Sequence, residues 1–238
     1  MLIYQISDLH IHDNIDNHVY ENFSQLMSFF AKSPPDLLVL TGDLSDDDGS
    51  KQAYQHIKSL IPQNMNYIIV PGNHDKCSVI HEVFPADYGR DNDFCHSLPT
   101  DSLDLVFVNT SSYSLPQKQI DYLGSKHIRK GSVLFIHHPP QLISQGYMAL
   151  KHSLKNHKAV SQAISKSNIS HVFCGHFHNE YEGEFDGYKL YLTPSPAFKI
   201  NLYSEKLQLE EPSPAFREIK IDTKEVTSTV IELSNSIG

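Results

Sequence analysis

The chain has 238 residues, which is enough for one large domain or two small ones. Apolar residues make up 39% and charged residues 20% of it, a composition that excludes a disordered chain. The net charge of −9 disfavours a nucleic-acid partner, because an acidic surface repels a phosphate backbone.

The first 178 residues predict strands and helices in alternation. Short apolar runs predict strands, and apolar residues that recur every three or four positions predict amphipathic helices. The predicted strands cover residues 2–6, 37–40, 67–70, 103–108, 132–136 and 169–173. Three helices are expected to begin after N-caps at Asp16 or Asn17, at Ser50 and at Ser114, and a fourth lies near 155–166. We expect irregular loops over residues 76–100 and 139–152.

The remaining residues, 179–238, predict mostly β-structure. Alternating apolar residues flank Asp186-Gly187, which is a strong signal for a hairpin. Residues 197–203, 215–222 and 225–232 continue as strands. No linker composition interrupts the chain, so we predict a single domain over 1–238, with an α/β core at 1–178 and a mainly β part at 179–238. Its fold class is an α/β sandwich whose second sheet is largely antiparallel.

The cysteines and the N-terminus predict a cytoplasmic location. The three cysteines form no Cys-x-x-Cys pair, which argues against a disulfide framework and a thiolate zinc site. Residues 1–6 reach Asp8 too early for a signal peptide. No apolar stretch approaches the roughly 20 residues that span a bilayer, so no membrane partner is expected.

Five predicted strands end in side chains that can bind a metal. Ligands bind at the carboxyl ends of strands in α/β sheets, so these side chains would converge if the strands lay side by side in one sheet. The strand ends carry Asp8 and His10, Asp43, Asn73 and His74, His137, and His176 and His178.

The spacing and chemistry of these residues favour two metal ions. Asp8 and His10, like His176 and His178, are two residues apart, so in extended chain they point the same way. The glycines before Asp43, Asn73 and His176 permit sharp turns. Two carboxylates, one amide and four imidazoles suit Mn, Fe or Zn better than Ca or Mg. One ion does not need seven ligands, and a carboxylate can bridge two.

Each of these residues also has a simpler interpretation as a polar turn or surface residue. The acidic run 46–48 is most simply a solvated turn, although one member, Asp46, could orient His74 without itself binding a metal. Among the other histidines, those that lack a strand-end position are interpreted as structural. These include His12, His18, His81, His96, His152, His157 and His171.

The motifs Asp8-x-His10, Gly42-Asp43, Gly72-Asn-His-Asp75, His137 and Gly175-His-x-His178, in this order, resemble the calcineurin-like metallophosphoesterases. The resemblance covers residues 1–178 and implies a four-layer α/β/β/α sandwich of two mixed sheets. Residues 41–47, 137–140, 193–195 and 214–217 resemble the branch of class III cyclic-nucleotide phosphodiesterases.

The resemblance also implies a role for each site residue. One metal would be held by Asp8, His10 and His178, the other by Asn73, His137 and His176, and Asp43 would bridge them. His138 competes for the role of His137, which is preferred because it comes first after the strand. Asn73 and His74 would bind the substrate, and His74 would protonate the leaving alkoxide or hold the phosphate oxygens.

These features predict an enzyme that hydrolyses 3′,5′-cyclic nucleotides, cAMP first, to 5′-nucleotides through a hydroxide that bridges the metals. The alternatives are another small phosphodiester, such as a 2′,3′-cyclic nucleotide or a glycerophosphodiester, and a non-catalytic metal-binding scaffold. Tyr88, Phe94 and Tyr147 could stack a base or serve only as packing residues. The late β-strands make a homodimer possible.

Overall fold

The computed structural model describes residues 1–46, 48–84, 94–223 and 225–233. Six helices lie in this part of the chain: α1 (His18–Lys32), α2 (Lys51–Leu60), α3 (Cys77–Val83), α4 (Gln117–Leu123), α5 (Tyr147–Lys151) and α6 (His157–Ser165). The strands are β1 (Leu2–Ile6), β2 (Leu37–Leu40), β3 (Tyr67–Ile69), β4 (His96–Pro99), β5 (Asp104–Phe107), β6 (Ser132–Phe135), β7 (Ile169–Cys174), β8 (Tyr181–Phe185), β9 (Tyr188–Leu192), β10 (Lys199–Ile200), β11 (Leu209–Glu210), β12 (Ala215–Ile221) and β13 (Val226–Glu232). Within the described ranges, no helix has the length and apolar character needed to cross a membrane.

The strands form two mixed sheets and one short ribbon. The first sheet has the order β13-β12-β1-β2-β3, and the second has the order β4-β5-β6-β7-β9-β8. In the second sheet β5, β6, β7 and β9 are parallel, and the edge strands β4 and β8 are antiparallel to their neighbours. The prediction of a largely antiparallel second sheet is therefore wrong. The hairpin was correctly located, but an alternating pattern does not show which of its strands joins the sheet, and β9 does so in parallel with β7.

Side chains alternate between the two faces of each sheet and so define four layers. Ile3 of β1 lies between the sheets, where Phe107 and Phe135 stack at a centroid distance of 5.4 Å. The neighbouring side chain of Tyr4 points the other way and packs on Phe30 of α1. The opposite face of the second sheet packs against α4, α5 and α6. The four-layer α/β/β/α arrangement of two mixed sheets is confirmed.

The helix starts agree with the capping residues in two of three cases. The side chain of Asn17 accepts a hydrogen bond from the backbone of Tyr20 at 3.1 Å, and Ser50 caps α2. The prediction of Ser114 as an N-cap is wrong, because α4 begins after Pro116. The fixed φ and missing N–H of proline place it directly at the start of a helix.

The predicted loops contain short elements. α3 and β4 lie within 76–100, and α5 lies within 139–152. These elements have four to seven residues, too few to show periodicity. The strand predicted over 197–203 is reduced to Lys199–Ile200 of the ribbon with β11. The remaining late strands extend both sheets, because β12 pairs with β1 and β9 pairs with β7.

Candidate metal centre

The strands that carry the predicted ligands lie in both sheets and not in one. β1, β2 and β3 belong to the first sheet, whereas β6 and β7 belong to the second. The side chains nevertheless converge, because the carboxyl ends of both sets of strands lie at the same end of the sandwich. The backbone N–H of His176 donates to Asp8 Oδ2 at 2.8 Å across the two sheets. The strands thus do not lie in one sheet, but the convergence that a single sheet would give is present.

Four of the predicted ligands form one compact, buried group. The ligand atoms of Asp8, His10, Asp43 and His178 all lie within 4.8 Å of one another. His10 Nε2 lies 3.1 Å from His178 Nε2, and Asp8 Oδ1 lies 3.4 Å from the same nitrogen. Atoms that bind one ion at about 2.1 Å lie roughly 3.0–3.4 Å apart, so these separations fit a shared metal.

Asp43 joins this group to a second one. His137 Nε2 lies 3.3 Å from Asn73 Oδ1 and 3.3 Å from Asp43 Oδ2. The same Asp43 oxygen lies 3.9 Å from His10 Nε2. The ring of His176 is 5.1 Å from that of His137, centroid to centroid. Asp43 therefore lies between the His10 side and the His137 side of the centre.

The four imidazoles are each fixed through the ring nitrogen that faces away from the centre. Metal-binding histidines almost always donate this second N–H to an oxygen, which sets the tautomer and the ring orientation. The contacts are His10 Nδ1 to Asp46 Oδ1 at 2.9 Å, His137 Nδ1 to Thr41 O at 2.7 Å, His178 Nδ1 to Phe198 O at 3.1 Å, and His176 Nε2 to His152 O at 2.7 Å. The donor set thus fits a metal, with Nε2 of three rings and Nδ1 of His176 left for coordination.

Asp46 makes a direct contact with His10 and lies close to His74. Its carboxylate accepts the hydrogen bond from His10 Nδ1, and its side chain is 36% exposed. The sequence predicts Asp46 as part of a solvated turn or, alternatively, as a residue that orients His74. A carboxylate oxygen of Asp46 lies within 4.8 Å of a ring nitrogen of His74 as well, so that alternative stays a prediction.

His137 and His138 face different partners. His137 Nε2 points to Asp43 and Asn73, whereas His138 Nδ1 lies 2.9 Å from Thr110 Oγ1. His138 packs on the ring of His176 at a centroid distance of 4.1 Å, and its buried Nε2 has no hydrogen-bond partner among the described residues. His137 thus faces Asp43 and Asn73, while one ring nitrogen each of His137, His138 and His176 lie within 4.8 Å of one another, so that His138 also adjoins the second group.

The backbone at the ligands is left-handed rather than extended. Asp8, His10, Asp43, His176 and His178 have φ of 56°, 46°, 49°, 70° and 54°. Such values are uncommon outside glycine and cost about 1–3 kcal/mol each unless the surroundings impose them. The assumption of extended chain at both two-residue spacings is therefore wrong, and tight turns bring these pairs together.

Two glycines make this close packing possible in different ways. Gly42 has φ of +91°, which confirms the sharp turn expected before Asp43. Gly72 is needed for space, because a Cβ there would collide with the carboxylate of Asp43. The glycine of the Gly72-Asn73 motif thus permits two loops to touch.

Burial and neighbouring charges shift the pKa values of the side chains in the centre. Burial raises the pKa of Asp8 to about 6. Burial also opposes ionisation of Asp43, but the attraction and hydrogen bond of His137 prevail and hold its pKa well below the usual range. For His137, burial disfavours the charged form, yet the carboxylates of Asp43 and Asp8 raise its pKa to about 9. Burial and repulsion by His137 lower the pKa of His176 to about 3.

The side chains of the Asn73-His74-Asp75 stretch lie in different surroundings. His74 is half-buried, its ring lies 5.0 Å from that of His10, and its backbone N–H donates to Asp43 Oδ1 at 2.8 Å. Asp75 faces away from the centre and accepts hydrogen bonds from Gly72 N at 2.8 Å, Leu44 N at 3.1 Å and the hydroxyl of Tyr54 at 2.9 Å. Asp75 therefore ties together the loops that carry Asp43 and Asn73.

A cavity of about 330 Å³ opens onto this centre. His74, Asn73 and Asp43 line it together with Tyr147, a predicted candidate for base stacking. Phe94, another candidate, is a core residue that stacks on His81 at 4.5 Å. Tyr88 lies outside the described residues.

Sequence reasoning missed several further lining residues of the cavity. Tyr113, His152 and Phe198 line the cavity, although His152 had been interpreted as purely structural. No strand-end position marks them in the sequence. His152 and Phe198 also support the centre through backbone carbonyls, which any residue type could supply.

Two C-terminal motifs of the sequence, residues 193–195 and 214–217, support the centre through hydrogen bonds. The hydroxyl of Ser195 donates to the carbonyl of Asp8 at 2.7 Å. Thr193 donates to Gln5 Oε1 at 2.6 Å, and the buried Arg217 donates to Thr193 Oγ1 at 3.3 Å and to Leu192 O at 2.6 Å. These contacts hold the end of β1, and hence Asp8, against the C-terminal part of the chain.

The fold and this centre define a metallophosphoesterase, and the comparisons agree. A family model for the calcineurin-like phosphoesterases matches residues 1–180, and the chain belongs to this family. It is similar to a probable cyclic nucleotide phosphodiesterase of Fibrobacter succinogenes, with 33% identity over 225 residues that cover 91% of this chain and 88% of the relative. The 3′,5′-cyclic adenosine monophosphate phosphodiesterase CpdA of Escherichia coli K12 is 24% identical over 82% of this chain and 74% of its own length.

Solved structures show the same fold. A dimetal phosphatase from Danio rerio superposes with a TM-score of 0.75 at 12% identity, over 97% of this chain and 95% of its own. A purple acid phosphatase from yellow lupin gives a TM-score of 0.72 at 11% identity, over 99% of this chain and 52% of its own.

Proposed function

We propose that the protein is a binuclear metal-dependent phosphodiesterase that hydrolyses 3′,5′-cyclic nucleotides, with cAMP foremost, to 5′-nucleotides. The observation that carries the proposal is the position of Asp43 between two groups of ligands. One ion would be held by Asp8, His10 and His178 and the other by Asn73, His137 and His176, with Asp43 shared. Mn, Fe and Zn suit this donor set of carboxylate, amide and imidazole.

Two bound divalent ions would supply Lewis-acid chemistry and an attacking water of lowered pKa. The chain's own residues then orient and complete the reaction. Asn73 and His74 face the cavity where the phosphate would lie. The attacking water gives one proton to the solvent, its oxygen bonds to phosphorus, and the P–O3′ bond breaks. His74, which stays off the metals, donates a proton to the departing 3′ oxygen and regains one from the solvent.

The relatives and the cavity support a small phosphodiester as substrate. Several relatives are named cyclic nucleotide phosphodiesterases. A cavity of about 330 Å³ lies at the lower end of the roughly 300–1,000 Å³ that small-molecule sites enclose. The non-catalytic alternative is weaker, because all seven predicted ligand positions carry side chains that can bind a metal. The four imidazoles among them are oriented by second hydrogen bonds.

A substrate panel with manganese tests the proposal. The panel compares cAMP, cGMP, 2′,3′-cAMP, bis(4-nitrophenyl) phosphate and the monoester 4-nitrophenyl phosphate, each before and after chelation. We expect manganese-dependent hydrolysis of the 3′,5′-cyclic nucleotides with release of 5′-nucleotides. Hydrolysis of the monoester alone would overturn the diesterase assignment, and an inert loaded protein would favour the scaffold.

Three further features of the sequence remain predictions. The pairing of β12 with β1 and of β9 with β7 supports a single domain over 1–238. The cytoplasmic location and a possible homodimer rest on the sequence arguments alone.

A further inference from the structure

The residues that line the cavity at the metal centre fall into two chemically different groups, which we call the metal side and the apolar side. The metal side comprises the metal-ligating residues and His74. The apolar side comprises apolar and aromatic side chains, namely Tyr147, Met148, Phe198, Ile200, Leu207 and Leu209. The metal chemistry requires only the first side, so the second needs a separate explanation.

The apolar side is built largely by residues 198–210, which we call the ribbon segment. Ile200 pairs with Leu209 in the antiparallel β10–β11 register. Phe198 packs on the ring of His178 at a centroid distance of 4.3 Å, and its carbonyl fixes His178 Nδ1. The backbone of Tyr147 donates to Ser204 O at 2.7 Å, which joins α5 to the ribbon segment. The apolar side is thus anchored to a predicted ligand at one end and to α5 at the other.

Leu207 and Leu209 are unusual members of this wall. They are 53% and 57% exposed, although they adjoin a polar centre. Apolar side chains of this kind at the mouth of a cavity are typical of a surface that a ligand covers. Their distance from the core also means that replacing them should leave the fold intact.

The charged residues that line the cavity limit which ligands can bind there. Among the described residues that line the cavity there is no lysine or arginine, and the only carboxylate is that of Asp43. A second phosphate would therefore find no cation beyond the metals. Away from the metals, the polar groups on offer are the hydroxyls of Tyr113 and Tyr147 and the ring of His152. The site favours one phosphate joined to an uncharged, apolar and planar group.

We propose that Leu207 and Leu209 form the outer wall of a subsite that holds the base of the nucleotide by its apolar faces. This inference rests on the proposed function, because it takes the planar group to be a nucleobase. The base would lie against the ribbon segment and Tyr147 while the phosphate reaches the metals.

The test compares two ligands that differ only in the base. Binding of AMP and of ribose 5-phosphate to the manganese-loaded full chain is measured by calorimetry, for the wild type and for the double variant Leu207→Ser/Leu209→Ser. The control is Leu142→Ser, because Leu142 is 47% exposed and does not line the cavity. We expect the double variant to weaken AMP binding about tenfold, equivalent to about 1.4 kcal/mol, and to leave ribose 5-phosphate unchanged. Leu142→Ser should bind both ligands as the wild type does.

The outcomes separate this inference from the proposed function. If the wild type hydrolyses cAMP but the double variant binds AMP normally, the subsite is wrong and the proposed function stands. If the wild type is inert towards cAMP but binds AMP better than ribose 5-phosphate, and the double variant loses that preference, the subsite stands alone. Sedimentation of both proteins checks a competing role for the leucines. A change in oligomeric state with normal AMP binding would make them a contact between copies and overturn the subsite.

Discussion

The hydroxyl of Ser195 donates a hydrogen bond of 2.7 Å to the backbone carbonyl of Asp8, 187 residues earlier in the chain. The same oxygen accepts from Ala197 N at 3.0 Å. Asp8 is buried, has a left-handed backbone and belongs to the compact group of predicted ligands. The C-terminal part of the chain therefore helps to hold a predicted ligand in a conformation that it would not otherwise favour.

We expect Ser195→Ala to weaken manganese binding several-fold and to lower the free energy of unfolding by about 1–3 kcal/mol, because a buried carbonyl loses its partner. Urea unfolding of metal-free protein and a manganese titration measure the two effects. Ser170→Ala is the matched control, since Ser170 Oγ also donates to a backbone carbonyl, that of Gly131, but away from the centre. Equal manganese affinity in the two variants would show that Ser195 has only a structural role.

Asp46→Ala should lower the affinity of the ion bound by His10 about 10- to 100-fold, because the ring loses the acceptor that orients it. Turnover at saturating manganese should stay near that of the wild type, since Asp46 itself does not bind the metal in this proposal. Asp48→Ala is the control, because Asp48 belongs to the same acidic run but its 89% exposed side chain pairs with Lys76. If both variants bind manganese alike, the hydrogen bond to His10 is not important for the metal.

His74→Ala should retain both metals and lose about 10²–10⁴-fold in turnover of cAMP, the usual contribution of a general acid. The reason is that His74 lines the cavity beside His10 but belongs to neither proposed ligand set. Metal analysis and steady-state kinetics on the same sample check it. A loss of metal that matches the loss of turnover would refute the assignment.

Manganese binding should release protons at neutral pH. The pKa of His137 is raised to about 9 in the metal-free centre, so at pH 7 this ring carries a proton that an ion must displace. The apparent affinity should therefore rise with pH up to about 9. Below about pH 6 the affinity should fall more steeply, because Asp8 then also binds a proton. Titrations in buffers with different ionisation enthalpies count the protons. Binding without proton release would contradict this charge distribution.

The candidate metal ligands could be picked out from the sequence because each follows an apolar strand. Asp43 and His137 come directly after runs of buried residues, and family motifs strengthened that pattern. The assignment of strands to sheets could not be predicted, because β3 and β6 are apolar runs of the same kind although they lie in different sheets. The local pattern of apolar residues indicates that a strand is buried, but it does not show which strand lies next to it in a sheet.

The supporting contacts were harder to foresee. His152 and Phe198 act through backbone carbonyls, and Ser195 acts across 187 residues, so no local pattern marks them. The left-handed backbone at Asp8 and His178 also has no signal in residue type, because neither is glycine. These features depend on the tertiary structure that encloses them.

The central claim is that two ions joined by Asp43 hydrolyse a cyclic nucleotide. It is tested most directly by titrating metal-free protein with manganese while counting bound metal and measuring hydrolysis of cAMP, in the wild type and in Asp43→Asn. We predict that activity reaches its maximum at two manganese ions per chain, and that Asp43→Asn loses activity and binds less metal at both sites. Full activity at one ion per chain, or normal activity and metal content in Asp43→Asn, would contradict the account.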